Sequence, residues 1–120
     1  MPAGILAGVT VIECATFVTG PYAAQLLGDL GARVIKIEAP PDGDPYRHFA
    51  ADEFFSANFA HLNRNKESLV LDLKSEKGGA ICREWVGKAD VFIENFRPGA
   101  SERRGLGYER LRSINSGLVY

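Results

Sequence analysis

Short runs of aliphatic and β-branched residues alternate along this chain with stretches whose apolar positions recur at helical spacing. Val9-Thr10-Val11-Ile12 reads as a buried strand. Pro21 to Leu30 reads as a helix, with Tyr22, Leu26, Leu27 and Leu30 on one stripe, proline in the first turn and Gly31 suited to a left-handed C-terminal cap. Arg33-Val34-Ile35-Lys36-Ile37 is expected as the second strand, Leu69-Val70-Leu71-Asp72-Leu73 as the third and Val91-Phe92-Ile93 as the fourth. A long connection from Ala39 to about Lys66 opens on the turn-forming run Pro40-Pro41-Asp42-Gly43-Asp44-Pro45. Within it, Phe54, Phe55, Phe59 and Leu62 fit one face of a short helix. Ser75 is placed to cap a helix running to about Gly87, with Ile81, Cys82, Trp85 and Val86 facing inward. Short helical turns are expected after Pro98 and from Tyr108 to Ile114, ahead of Leu118-Val119-Tyr120.

Alternating strands and helices, with strands apolar on both faces, are the pattern of a parallel sheet covered by helices. Right-handed crossovers then make the fold class α/β, a Rossmann-like parallel sheet with flanking helices. The 120 residues amount to one domain at most, with no internal repeat, low-complexity tract or clear linker. The last strand, beginning at Leu118, lacks a following helix, so the chain reads as truncated and the sheet is expected to be incomplete.

A hydrophobic content of 46% supports a packed core. The net charge of −1 gives no global attraction to nucleic acid or to an anionic membrane, so neither is expected as a partner. The N-terminus has no basic region, and the apolar stretch after it is broken by Glu13, so no targeting or membrane-spanning segment is read. Cys14 and Cys82 are far apart and form no CxxC pair; reduced residues packed in the interior are favoured over a disulfide or redox pair, which points to a cytoplasmic location.

Ligands of open parallel sheets bind at the carboxyl ends of the strands. The segments Cys14 to Pro21, Glu38 to Arg47, Asp72 to Ser75 and Glu94 to Arg104 are therefore expected to converge. Thr19-Gly20-Pro21 starts a helix, whose free N–H groups suit an anion or a carbonyl oxygen, although an ordinary strand-to-helix turn explains it equally well. Glu38 lies where dinucleotide-binding folds hold a ribose hydroxyl, but the first turn, Ala15-Thr16-Phe17-Val18-Thr19-Gly20-Pro21, lacks the G-x-G-x-x-G glycines. A dinucleotide-dependent oxidoreductase is thus a distant alternative. Asp42 and Asp44 read as a solvated turn rather than a metal site, and no metal is expected. No Ser/His/Asp or Cys/His set is recognisable. The basic residues Arg47, Arg64, Lys66, Lys74, Arg97, Arg103 and Arg104 are more informative, because Lys74 follows one strand end and Arg97, Arg103 and Arg104 follow another. With Asn95 and Phe96 they suit a phosphorylated ligand that carries a ring and an amide arm.

The words Leu6-Ala7-Gly8-Val9-Thr10-Val11-Ile12-Glu13, Gly20-Pro21-Tyr22-Ala23, Leu30-Gly31-Ala32-Arg33-Val34-Ile35-Lys36-Ile37-Glu38, Gly43-Asp44-Pro45-Tyr46-Arg47, Asn63-Arg64-Asn65-Lys66, Leu71-Asp72-Leu73-Lys74, Ala89-Asp90-Val91-Phe92-Ile93-Glu94-Asn95-Phe96-Arg97-Pro98-Gly99 and Gly105-Leu106-Gly107-Tyr108 occur in one order over nearly the whole chain. In these words the chain resembles the N-terminal part of the family III CoA-transferases, the CaiB/BaiF type that includes formyl-CoA transferase and α-methylacyl-CoA racemase. The resemblance implies that residues 1–120 are the N-terminal part of the family's large domain. It implies coenzyme A as substrate and product, with acyl-CoA and a carboxylic acid as the reacting partners. By position, Val18 and Thr19 match the loop near the thioester, where the formyl-CoA transferase type has glutamine in place of Val18. Ala39 stands where that type has an arginine on the nucleotide. Leu71, Asp72, Leu73 and Lys74 match one CoA-contacting strand end, Asn95, Phe96 and Arg97 a second, and Arg103 a further basic contact.

In such transferases an aspartate carboxylate attacks the acyl-CoA, and in the related racemases a His and an Asp exchange the α proton. The resemblance places these residues after Tyr120, so no catalytic residue is expected here and the segment alone is expected to lack turnover. It also implies an interlocked homodimer for the parent protein. An acyl-CoA racemase and a catalytically inert CoA-binding fragment stand as the alternatives.

Overall fold

The computed structural model describes residues 3–50 and 56–120; Phe54 and Phe55 of the expected aromatic face lie outside the described residues. The elements in chain order are β1 (Thr10–Cys14), α1 (Thr19–Asp29), β2 (Arg33–Glu38), a 3₁₀ turn (Pro45–Arg47), α2 (Ala57–Asn63), β3 (Lys66–Val70), α3 (Glu76–Val86), β4 (Val91–Glu94), α4 (Ala100–Arg103) and α5 (Tyr108–Ile114). The four strands form one parallel sheet in the order β3-β2-β1-β4. This is the Rossmann-like α/β arrangement expected. Val119 adds a parallel bridge to Val91, beyond β4.

Strand alternation divides the core in two. Ile12 and Cys14 of β1 and Ile35 and Ile37 of β2 face α3 and α5, where they pack with Cys82, Val86, Phe92, Leu106 and Leu111. Val11 and Val34 face the opposite way and pack with Ala24 of α1. The same alternation points Glu13, Lys36 and Glu38 toward the α1 side, and all three are buried. The central strands are therefore not apolar on both faces, as the sequence suggested.

Two expectations are corrected. The third strand is Lys66–Val70, not Leu69 to Leu73. Val34 to Glu38 of β2 pair with Lys66 to Val70, and the ladder ends where the Leu71 amide donates to the Glu38 carbonyl at 3.0 Å. As an edge strand, β3 carries the polar residues Lys66, Glu67 and Ser68, which hid it within a loop-like stretch. The second correction concerns α1. Tyr22, Leu26 and Leu30 are exposed, and the buried face is Gly20, Pro21, Ala24 and Gln25. Small residues face inward there because the helix lies close on the sheet: a side chain at Gly20 would run into Cβ of Ala15. The other helices match expectation more closely. Ser75 caps α3 by accepting from the Gly78 amide at 3.0 Å, and Cys82 and Val86 are buried.

Candidate functional site

Beneath the β1–α1 turn lies a buried group of four charges. Lys36 Nζ donates to Glu13 Oε1 at 2.7 Å and to the Ala15 carbonyl at 3.0 Å, and lies 2.9 Å from Asp44 Oδ2. Lys66 Nζ lies 2.7 Å from Glu13 Oε2 and donates to the Pro21 carbonyl and to Asn63 Oδ1, each at 2.9 Å. Two cations face two carboxylates, so the cluster is neutral, as buried charges must be. Burial pushes the Lys66 ammonium below its ordinary value, against the pull of Glu13. Asp44 Oδ1 also accepts from the Phe17 amide at 3.1 Å and the Tyr46 amide at 2.9 Å. Phe17 sits at φ 62°, left-handed backbone that non-glycine residues seldom adopt, and Asp44 helps to hold it there. Asp42 is exposed, as expected of a solvated turn, but Asp44 is an interior anchor.

Glu38 fastens the same connection from the end of β2. It accepts from Arg47 at 2.8 and 2.7 Å, from the Ser68 hydroxyl at 2.6 Å and from the Asp44 amide at 2.9 Å. Burial alone would raise this carboxyl, but these donors outweigh it and hold it at about 2. With its acceptor sites filled by the protein, Glu38 has none to offer a ribose. Arg47, Arg64 and Lys66 are likewise engaged, with Glu38, Asp29 and Glu13.

The remaining cations gather at the carboxyl ends of the strands. A cavity of about 560 Å³ is lined by Leu73, Lys74, Ser75, Glu76, Gly79 and Arg83 on one side and by Ala100, Arg103, Arg104 and Gly105 on the other. Four cations face one carboxylate, and among the described residues none of the four is in an ion pair. Glycines make room for two of the guanidinium groups. A Cβ at Gly105 would come within 2.8 Å of Arg83 Nη1, and one at Gly99 within 2.9 Å of Arg103 Nη1. A second, smaller cavity of about 140 Å³ shares Leu73, Lys74 and Arg104 with the first and adds Cys14, Thr16, Ile37, Ala39, Pro40, Asp72 and Phe96. Cys14 Sγ lies 3.9 Å from Cys82 Sγ, and both thiols are free and buried. The Cys82 contact and burial push the Cys14 thiol up, so at neutral pH it stays protonated and is a poor nucleophile.

Of the residues singled out from the sequence, Lys74 and Leu73 line both cavities, Arg103 the larger, and Ala39, Asp72 and Phe96 the smaller. Leu71 is half-buried against the core. Asn95 lines neither cavity; its amide donates to the Thr16 carbonyl at 2.8 Å and to the Thr19 hydroxyl at 3.2 Å, and its oxygen accepts from the Thr16 amide at 3.0 Å. It ties β4 to the β1–α1 turn. Val18 and Arg97 are exposed and line neither cavity. Arg83 was not singled out, although it follows Gly79 at i+4 on one face of α3. Arg104 was noted only as one of a basic run. No group of three or more His, Cys, Asp or Glu residues among those described is arranged to hold a metal ion, and no described helix is long and apolar enough to cross a membrane.

A parallel α/β sheet with a cationic cavity at its strand tips is the setting in which doubly wound folds take anionic ligands. The family model of CoA-transferase family III matches residues 6–120, and the chain belongs to that family. It is 47% identical over 122 aligned residues to acetyl-CoA:oxalate CoA-transferase of Acetobacter aceti, covering 99% of this chain and 31% of that protein. It is 45% identical to succinate–glutarate CoA-transferase of Agrobacterium fabrum, covering 96% of this chain and 31% of that protein. Among solved structures, a Mycobacterium tuberculosis protein, Rv3272, superposes with a TM-score of 0.93 at 41% identity, covering all of this chain and 33% of that one. A CaiB/BaiF family protein of Brucella suis superposes with a TM-score of 0.91 at 40% identity, covering 98% and 32%. The chain thus spans about a third of the length of the relatives it matches.

Proposed function

We propose that residues 1–120 are the N-terminal part of the large domain of an enzyme that moves CoA between an acyl-CoA and a carboxylic acid, and that they build one wall of its CoA site. The observation that carries this reading is the pair of adjacent cavities at the strand tips, with Lys74, Arg83, Arg103 and Arg104 in no ion pair among the described residues and the apolar Phe96 and Ala39 beside them. Phosphates suit the cationic cavity, and the narrower one suits an arm bearing amides. Transferase names among the relatives support transfer over racemisation. On this reading Ala39, Leu73, Lys74, Asp72, Phe96 and Arg103 meet the ligand directly. Thr19, Leu71 and Asn95 act by holding the walls, while Val18 and Arg97 reach the ligand from exposed positions. The reacting carboxylate lies outside this segment, the full protein pairs as an interlocked homodimer, and it works in the cytoplasm.

The test is titration of the full-length protein with CoA and with NAD at two salt concentrations, followed by assay with acyl-CoA and a panel of carboxylic acids. CoA should bind the more tightly, and its affinity should fall as salt screens the basic wall. Lys74→Gln and Arg103→Gln should each weaken CoA by about tenfold. Tighter binding of NAD, or CoA affinity unchanged in both variants, would refute the assignment.

A further inference from the structure

Arg83 and Arg104 are the cations of this site that family resemblance does not assign, and Arg104 is the one that lines both cavities. Its guanidinium carbon lies 4.4 Å from the centre of the Phe96 ring, and its side chain lines both cavities. Its Nη1 is buried and has no hydrogen-bond partner among the described residues. The interior lysines are matched: Lys36 meets Glu13 and Asp44, and Lys66 meets Glu13. Arg104 is half-buried and meets no carboxylate among the described residues. A charged donor removed from water and left without an acceptor is unfavourable, so this position favours a ligand that supplies one. The Phe96 ring lies against the guanidinium group, whose planar array of N–H donors is suited to meeting phosphate oxygens in pairs.

We propose that Arg104 binds the pyrophosphate of the ligand at the junction of the two cavities. The inference rests on the reading that the site takes CoA. In such a ligand the pyrophosphate is the group between the nucleotide and the amide arm. If the nucleotide end fills the larger cavity and the arm the smaller, the pyrophosphate falls where the two meet. Among the described residues Leu73, Lys74 and Arg104 line both, and of these Arg104 offers a planar fork set beside an aromatic ring.

The test is calorimetric titration of the full-length protein and its Arg104→Gln and Arg104→Lys variants with CoA and with dephospho-CoA, which lacks the 3′-phosphate but keeps the pyrophosphate. Arg104→Gln should lose about 10- to 100-fold in affinity for both ligands, and Arg104→Lys should recover only part of it. Circular dichroism and melting temperature report folding. Should Arg104→Gln fail to fold, Phe96→Leu keeps an apolar side chain while removing the flat support, and should cost several-fold for both ligands. A loss for CoA that is absent for dephospho-CoA would assign Arg104 to the 3′-phosphate and overturn the proposal. So would affinities within twofold of wild type in the Arg104 variants while Arg103→Gln weakens binding. Failure of the wild-type protein to bind CoA would overturn the functional reading itself, and that outcome is seen in the wild-type titration alone.

Discussion

Replacing Glu38 by Gln probes the joint between the sheet and the wall of the smaller cavity, because Glu38 closes β2 and Ala39, next in the chain, lines that cavity. Glutamine keeps the shape and loses the charge, leaving Arg47 facing an amide where two charge-assisted contacts of 2.8 and 2.7 Å had been. Burial disfavours the ionised Glu38, yet the donors from Arg47, Ser68 and the Asp44 amide hold its carboxyl at about 2, against an ordinary value of 4.5. A carboxyl depressed in the folded state stabilises the fold fully above the unfolded value and loses that contribution as pH falls through the folded one. The gap corresponds to roughly 3 kcal/mol at neutral pH, fading between about pH 4.5 and pH 2. Glu38→Gln should therefore destabilise the protein by about 2–3 kcal/mol at pH 7, and the deficit should be roughly halved by pH 3. Urea unfolding of both proteins at pH 7, 5 and 3, followed by far-UV circular dichroism, reads this difference directly. A deficit independent of pH, or one under about 0.5 kcal/mol at pH 7, would show that the donors around Glu38 do not act as described.

Two further substitutions test the supports of the site. Gly78→Ala would drive a methyl group into the carbonyl oxygen of Asp72, on the turn between β3 and α3 that lines both cavities. It should cost about 1–3 kcal/mol in urea unfolding and weaken CoA as well; full stability with unchanged affinity would contradict the packing described. Asn95→Ala removes three hydrogen bonds to the β1–α1 turn, so it should cost about 1–2 kcal/mol and raise amide exchange at Thr16 and Phe17. Unchanged exchange there would remove Asn95 from its role as a tie.

The buried charges show why the β1–α1 turn is built at such electrostatic cost. Glu13 and Lys36 stand on adjacent central strands, and Asp44 and Lys66 come from the connection and the edge strand. Removing any one partner would leave an uncompensated interior charge, so the cluster joins four chain segments into one unit. Through Asp44 it also supports the left-handed Phe17, next to Thr16 of the smaller cavity.

The order of strands and helices, the parallel sheet and the gathering of Lys74, Phe96 and Arg103 at its strand tips were legible in the sequence. They rest on local signals: apolar runs for β1, β2 and β4, a serine cap for α3, and motifs that hold their order. The position of β3 was not legible, since an edge strand needs no continuous apolar run, and only pairing with Val34 to Glu38 places it at Lys66 to Val70. Nor was the orientation of α1. Its large residues form the more apolar stripe, but close approach to the sheet sets the small Gly20 and Ala24 against it and leaves Tyr22, Leu26 and Leu30 exposed. Sequence likewise cannot separate cations that are neutralised in the interior from those left free. Arg47, Lys66 and Lys74 look alike in the chain, and only three-dimensional neighbours commit the first two to Glu38 and Glu13 while Lys74 meets no carboxylate among the described residues. Charge pairing is a matter of distances of a few ångströms between residues far apart in sequence, and folding alone sets those distances.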